Sequence, residues 1–424
     1  MSSGMIIIIF ILGYIAIAFE YPLRINKAAT ALITGVLCWT VNIFYSPTEN
    51  TVVHDLLNHL SEIASILFFL LGAMVIVELI DEHNGFEIAT RLIRTKNKGK
   101  LLVLIGIVTF FMSAVLDNLT TTIVMLSVIN KLLKEKHDRW YFAGMIIIAA
   151  NAGGAWSPLG DVTTTMLWTG GQISSSVIIK KLLLPAIVSC LVPMLNLWFL
   201  FRKKEIADYP ATKEPIVSGR IQLIVLATGV ISILFVPVFK SITHLPPFMG
   251  MLLALGVIWA VVSLLHSRNP EVNGKNFFVL TALQKIDMPS ILFFLGILLS
   301  VAALQSSGAL QNVALWMTEN IKNETVTGLS FGLASSVVDN VPLVAAAQGM
   351  YSLKVFPADH FFWELLTFTT GTGGSVIIIG SAAGVAAMGI EKIDFFWYMK
   401  RISILALMGL FAGTAIYVLL NGWM

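Results

Sequence analysis

The 424 residues form a chain that is too apolar for a soluble protein: 57% are hydrophobic and 12% are charged, against about 25% charged in an ordinary soluble domain. The net charge of +3 does not indicate a nucleic-acid partner, because the basic residues lie between the apolar runs. Cys38 and Cys190 lie inside such runs and form neither a disulfide framework nor a metal motif. These features predict an all-α polytopic membrane protein that is not an enzyme.

Ten apolar runs predict membrane-spanning helices, since about 20 apolar residues cross a bilayer. The first run has no basic residue before it, as a signal peptide would have, so we expect it to be a retained and rather short span. The predicted spans are 5–19, 27–45, 63–80, 140–170, 177–201, 220–239, 246–266, 288–304, 361–390 and 395–420.

Two further apolar regions, 101–130 and 326–353, are each divided at the centre by an Asp-Asn pair. Their arms are roughly 12–15 residues long, which is too short to cross the hydrocarbon core; one long kinked helix is the alternative. Basic residues flank the region 101–130 on both sides, which predicts that both of its ends face the cytoplasm. We therefore expect two re-entrant helical hairpins.

The distribution of basic residues supports ten crossings with both termini outside a cytoplasmic (inner) membrane. In this arrangement only five of the 27 Lys and Arg residues fall outside, as the positive-inside rule requires. These five are Lys180, Lys181, Lys240, Lys322 and Lys354.

Landmarks that recur at offsets of 220–225 residues predict that the whole unit is duplicated. The hexapeptide that begins at Ser65 recurs at Ser290, and Gly153-Gly154 recurs as Gly373-Gly374. Each half then holds five spans, one of them broken, and one hairpin. Because five is odd, the second half must be inserted upside down, as in many secondary transporters. The predicted units are a first repeat 1–201, a cytoplasmic linker 202–219 and a second, inverted repeat 220–424.

Three acids lie at the interruptions of predicted membrane segments, Asp117, Asp161 and Asp339, and Glu78 lies in a span but outside the duplicated site. A carboxylate in lipid is costly unless it binds something, and the glycine-rich centres of spans 140–170 and 361–390 expose carbonyl oxygens, which are hard ligands suited to Na⁺ or Li⁺. Desolvation favours the protonated carboxylate and a bound cation favours the ionised one, so the two ions should compete. The predicted Na⁺ and proton site is Asp117, Asn118, Asp161, Asp339 and Asn340, supported by Asn151, Ser157, Thr121, Thr163, Thr164, Ser335 and Ser375.

The blocks 116–125, 156–165 and 338–346 resemble the signature blocks of NhaD-type Na⁺/H⁺ antiporters of the ion transporter superfamily. The resemblance implies Na⁺(Li⁺)/H⁺ exchange by alternating access, with no cofactor beyond the transported ions. It further implies a homodimer in the lipid bilayer, with a fixed scaffold and a mobile unit that moves as an elevator. Residue by residue, it favours Asp117, Asn118, Asp161, Thr163, Thr164, Asp339 and Asn340 as functional.

The nearest alternatives are transporters of arsenite or of organic anions in the same superfamily. Acids at both hairpin tips would repel a carboxylate substrate, whereas neutral arsenite is harder to exclude. An intramembrane aspartyl protease would need glycine at position 158, where this chain has Pro158. The predicted site is asymmetric, since Gly160-Asp161 aligns with Gly380-Ser381 in the second half.

Overall fold

The computed structural model describes residues 2–18, 20–45, 49–86, 95–206, 219–267, 278–321 and 323–422. Throughout these ranges the chain is helical, and its extended pairing is limited to one isolated bridge between Asn97 and Glu205. This confirms the prediction of an all-α protein. The predictions about the basic loops at 87–94, 207–218 and 268–277, including most of the linker 202–219, lie outside the described residues.

We number the α-helices of the described ranges in chain order. The first half contains α1 Ser2–Ala18, α2 Glu20–Leu23, α3 Lys27–Tyr45, α4 Glu49–Glu82, α5 Lys98–Ser113, α6 Asn118–Leu132, α7 Lys136–Ala155, α8 Val162–Thr169 and α9 Ser175–Phe201. The second half contains α10 Gly219–Thr243, α11 Pro247–Ser267, α12 Phe278–Lys285, α13 Met288–Ser306, α14 Ala309–Asn320, α15 Glu324–Ala334, α16 Asn340–Met350, α17 Phe361–Gly373, α18 Ala382–Glu391, α19 Phe395–Tyr398 and α20 Ile404–Asn421, with a π-helical turn Met399–Ser403 before the last.

Seven of the described helices are long and apolar enough to cross a membrane. They coincide with seven of the ten predicted spans; the other three predictions fall on the short α1 and on the two broken spans. One predicted boundary was wrong, because the span placed at 63–80 belongs to α4, which has 34 residues. The apolar-run criterion missed its first turns, where side chains such as His54 and Glu62 are polar and exposed.

Each predicted interruption is a real break between two helices. The chain leaves helix between α5 and α6 and between α15 and α16, at the two Asp-Asn pairs. It also leaves helix between α7 and α8 and between α17 and α18, at the glycine-rich centres. Both α5 and α6 pack on α7, and both α15 and α16 pack on α17. The alternative of one continuous kinked helix in each region is therefore wrong.

The helices pack as two bundles, and each bundle takes helices from both halves of the chain. The scaffold bundle consists of α1, α3, α4, α10, α11 and α13, in which α3 packs on α13 and α11 packs on α4. The site bundle consists of α5 to α9, α15 to α18 and α20, in which α9 packs on α20 and α7 packs on α17. The bundles meet where α16 packs on α13 and where α8 packs on α4.

The repeated Gly-Gly landmarks are explained by close backbone packing inside the site bundle. A Cβ atom on Gly153 would lie 2.1 Å from the Phe110 carbonyl oxygen, and one on Gly373 would lie 2.1 Å from the Gly332 carbonyl oxygen. Any side chain at either position would push a hairpin arm away from its broken helix. The two glycines thus bring the breaks of α5–α6 and α7–α8, and likewise those of the second half, close together.

Candidate functional site

The four helices of the site bundle that begin at the breaks are each capped by the side chain of the residue before them. Asp117 caps α6 and Asp339 caps α16, while Asp161 caps α8 and Ser381 caps α18. Such caps satisfy backbone N–H groups that have no partner within the helix, and a helix N-terminus stabilises negative charge. The accepted N–H groups are those of Thr120 at 2.7 Å, Val341 at 3.2 Å, Thr163 at 3.1 Å and Gly384 at 3.2 Å.

Asp161 lies at the centre of this arrangement and receives one amide from each half of the chain. Nδ2 of Asn118 donates to its Oδ2 at 3.3 Å. Nδ2 of Asn340 lies 3.2 Å from Oδ2 and 3.4 Å from Oδ1. All three side chains are buried, with Asp161 only 2% exposed. The structure therefore brings together the acid of the broken span and the asparagines of both predicted hairpin tips.

Asn151 connects the two broken spans beside this centre. Its Oδ1 accepts from Nδ2 of Asn118 at 3.0 Å. Its own Nδ2 donates to Ser375 Oγ at 2.9 Å and to Ser381 Oγ at 3.0 Å. Asn151, predicted as a supporting residue, thus contacts Asn118 directly, and Ser375, predicted likewise, joins the group through Asn151. Ser381 was noted in the sequence only as the counterpart of Asp161, and its contact with Asn151 makes it a member of the cluster.

The other supporting residues divide into two kinds. Ser157 and Ser335 donate to carbonyl oxygens of the adjacent hairpin or broken span, at 2.5 Å for Ala114 and 2.8 Å for Thr370. Thr164 Oγ1 lies 3.5 Å from the Gly154 carbonyl oxygen. In contrast, the buried hydroxyl oxygens of Thr121 and Thr163 have no hydrogen-bond partner among the described residues. The serines therefore tie the loops together, whereas the two threonine oxygens make no such bond within the described residues.

Asp117 and Asp339 flank the centre but make no hydrogen bond to Asp161 in the described part of the chain. Both carboxylate oxygens of Asp117 accept from Thr120, from its N–H and from its hydroxyl, at 2.7 Å each. The N–H of Asp339 donates to the Tyr14 hydroxyl oxygen at 3.0 Å. Each of these acids directly precedes an asparagine that reaches Asp161, and the described residues contain no group of three His, Cys, Asp or Glu residues that could together hold a metal ion. The predicted site is thus one central acid with two flanking acids.

One acid within a predicted span, Glu364, was not identified from the sequence. It lies in α17 and is fully buried. Its Oε1 accepts from Lys181 Nζ at 2.7 Å, and its Oε2 accepts from the Tyr417 hydroxyl at 2.6 Å. The signal was present in the sequence, since this glutamate follows Phe-Phe-Trp in an apolar run. It forms an ion pair with α9 and accepts a hydrogen bond from α20, and it makes no hydrogen bond to the central cluster in the described residues.

A multi-pass helical bundle around a buried cluster of carboxylate, amide and hydroxyl groups defines the class of the protein, a membrane transporter. The model of the family described as Citrate transporter (CitMHS) matches residues 7–371, and the chain belongs to this family. It is 45% identical to "Sodium/proton antiporter 1" of Arabidopsis thaliana over 97% of this chain and 71% of that protein. It is 30% identical to "Na(+)/H(+) antiporter NhaD" of Alkalimonas amylolytica over 98% of this chain and 90% of that protein.

These relatives confirm the resemblance to NhaD-type antiporters that the sequence blocks indicated, and they are named as antiporters rather than as enzymes. Among solved structures, the chain resembles the YdaH transporter of Alcanivorax borkumensis, with a TM-score of 0.59 and 12% identity over 89% of this chain and 90% of that one. At this identity the likeness shows the fold alone.

Proposed function

We propose that this protein exchanges Na⁺, and also Li⁺, for H⁺ across a membrane by alternating access. The observation that carries the proposal is the buried carboxylate of Asp161 with the amides of Asn118 and Asn340 around it, one from each half of the chain. Carboxylate, amide and hydroxyl oxygens are the ligands that a hard cation prefers. Rotating either amide about its terminal bond replaces a donor to Asp161 with an oxygen that can bind the cation.

In this proposal, coupling comes from competition at the carboxylates. Burial favours the neutral form of a carboxylic acid, and a bound cation favours the ionised form. Asp161 therefore holds a proton or contributes to the Na⁺ site, but not both. Asp117 and Asp339 add negative charge from the two flanks, while Thr121 and Thr163 supply hydroxyl oxygens. The remaining residues of the predicted site, Asn151, Ser157, Thr164, Ser335 and Ser375, fix the loops around the ion.

The family description raises a carboxylate such as citrate as the competing substrate. Two features argue against it in this chain. The hydrogen-bonded cluster around Asp161 contains amides and hydroxyls but no Lys or Arg among the described residues, and three acids lie in or beside it. An anionic substrate would have to overcome repulsion from these acids, because charges interact strongly where water is excluded.

We further propose that the two halves are inverted repeats and that the site bundle moves past the scaffold bundle as an elevator. Support comes from the matched helix starts, Asn118 with Asn340 and Val162 with Ala382, and from bundles that each combine both halves. The basic-residue distribution supports termini on the side opposite the basic loops. Relatives occur in a plant and in bacteria. We therefore propose on which side of the membrane the termini lie, and we assign no particular membrane. The proposed homodimer rests on the resemblance alone, and the mass of the purified protein in nanodiscs tests it.

The test is exchange in proteoliposomes that contain a pH-sensitive dye. After a proton gradient is imposed, adding NaCl or LiCl should dissipate it, whereas KCl and choline chloride should not. Protein-free liposomes control for leak. Citrate and arsenite, added separately, report the competing functions through uptake of the labelled compounds. The absence of any response to Na⁺ or Li⁺, at neutral and at alkaline pH, would reject the antiporter proposal.

A further inference from the structure

The scaffold bundle contacts the last turn of α8 at Trp168. Its indole is buried, and Phe69 of α4 packs edge-on against it with the ring centroids 6.3 Å apart. Lys240 of α10 contacts the same residue in two ways. Its Nζ donates to the Trp168 carbonyl oxygen at 2.8 Å and lies 4.5 Å from the centroid of the indole. One residue of the site bundle is thus fixed by two helices of the scaffold.

Both contacts favour a positive charge at this place. The Trp168 carbonyl belongs to the C-terminal turn of α8, where the helix dipole is negative, and the face of an indole attracts a cation. Because α8 is a short helix that starts directly after Asp161, fixing its last turn also fixes the acid at the centre of the site. Lys240 does not touch that centre, so its effect on transport must be conformational.

The second half of the chain lacks the residues for an equivalent contact. At the offset of 220 residues that separates Val162 from Ala382, Trp168 corresponds to Met388. At the offset of 225 residues that separates Ser65 from Ser290, Lys240 corresponds to Ile15. Isoleucine has no hydrogen-bond donor in its side chain, and a thioether has no aromatic face.

We propose that Lys240 is a one-sided latch that stabilises the conformation described here over the other end state of the transport cycle. The inference rests on the proposed alternating access. In a transporter built of inverted repeats, the two halves exchange environments between the end states. In the other state, α18 takes the position against the scaffold that α8 has here, and Ile15 and Met388 cannot replace Lys240 and Trp168. A contact present in one state only shifts the equilibrium towards that state.

The experiment measures the two populations directly, without ion flux. Spin labels are placed at Leu245→Cys in the α10–α11 loop and at Val355→Cys after α16, both exposed positions, in a background in which the buried Cys38 and Cys190 are replaced by alanine. Electron–electron distance measurements in nanodiscs should give two distances. Lys240→Met should change the ratio of the two populations at least about fivefold, against the conformation described here, since it removes a contact between coupled states.

Two matched variants separate the latch from a general effect on structure. Lys240→Arg keeps the charge and the donor and should retain the wild-type ratio, whereas Lys354→Met removes an exposed lysine and should change nothing. A second readout is the Na⁺ concentration for half-maximal exchange from each face of oriented vesicles, which should change in opposite directions for Lys240→Met.

The latch is rejected by a single distance in the wild type, by a change in ratio smaller than about twofold, or by an equal change in the arginine variant. If the wild-type protein moves no Na⁺ but Lys240→Met changes the ratio of the two populations as expected, Na⁺ is not the transported ion. The proposed role of Lys240 is then still supported.

Discussion

The half-helices α8 and α18 begin in the same way but differ in charge. Asp161 and Ser381 lie one repeat offset apart, and each caps its own helix through a side-chain oxygen. The amides of Asn118 and Asn340 both reach Asp161, whereas within the described residues Ser381 accepts from one side chain, that of Asn151. The chain thus has two positions that match at the repeat offset, and one of them carries an acid where the other carries a neutral hydroxyl.

A second difference at the same breaks fits the first. The repeat offset that relates Asp161 to Ser381 also relates Asn151 to Gly371. A Cβ atom on Gly371 would lie 3.2 Å from the Ala155 Cβ atom and 3.7 Å from Oδ2 of Asp161. The glycine therefore leaves room for Ala155 beside Asp161 on one side, and Asn151 reaches across from the other broken span. The two halves are complementary at this point, not identical.

We expect the largest effect on exchange from Asp161→Asn, which removes the acid that distinguishes the start of α8 from the start of α18. Asparagine is nearly isosteric and is as good an N-cap as aspartate, so α8 should persist while the central charge is lost. Na⁺-dependent exchange should fall by about 100-fold or more, because a buried cation loses the charge that pairs with it. Dye dequenching in proteoliposomes measures this loss.

Two further variants control for that result. Glu62→Gln alters an exposed acid of α4 and should exchange at the wild-type rate. Ser381→Ala removes the neutral cap of α18 and one acceptor of Asn151; because it removes no charge, it should retain most of the activity. Exchange by Asp161→Asn at the wild-type rate would mean that the centre lies elsewhere.

The flanking acids come next, with Asp117→Asn and Asp339→Asn made separately. Each asparagine keeps the helix cap, so any loss of exchange reports the charge and not the fold. We expect the Na⁺ concentration for half-maximal exchange to rise about tenfold or more in each, since both charges act on the buried centre through a low effective dielectric. A variant with unchanged Na⁺ dependence would show that its acid is only a cap.

Much of this arrangement could be predicted from the sequence, because its signals are local. Glycine and proline density located the breaks, and the offset between Asn118 and Asn340 predicted that the two amides converge. The sequence did not show which local hydrogen bonds these side chains make instead of contacting the centre. Thr120 satisfies both oxygens of Asp117, which depends on the rotamers at a single helix start. The partner of Glu364 was equally hidden, since the contact with Lys181 depends on how α9 and α17 are rotated against each other.

The amides themselves provide the third test, through Asn118→Ala and Asn340→Ala. Each removes one hydrogen bond to Asp161 and one oxygen ligand for the proposed cation. We expect Na⁺ affinity to fall by about tenfold in each, as for the loss of a hydrogen bond to a charged group. Asn118→Ala should be the more harmful, because Asn118 also donates to Asn151. Asn196→Ala, at an exposed asparagine of α9, is the matched control. Opposite ranking of the two variants would contradict the proposed role of Asn151 as the connection between the broken spans.

The smallest effect on exchange is expected at Glu364, which also distinguishes the two halves, since Gly144 is its counterpart by the repeat offset. Glu364→Gln removes the charge from a fully buried side chain, while Lys181, whose side chain is 32% exposed, can still reach water.

Lys181→Met leaves the buried carboxylate without its cation and should destabilise the protein by about 3 kcal/mol, against about 1 kcal/mol for Glu364→Gln. Thermal unfolding in detergent measures both, and exchange per folded protein should stay within about twofold of wild type because neither side chain touches the centre. If Glu364→Gln instead stops exchange while its unfolding temperature is unchanged, Glu364 carries protons, and the two halves differ in their proton route as well as in their cation site.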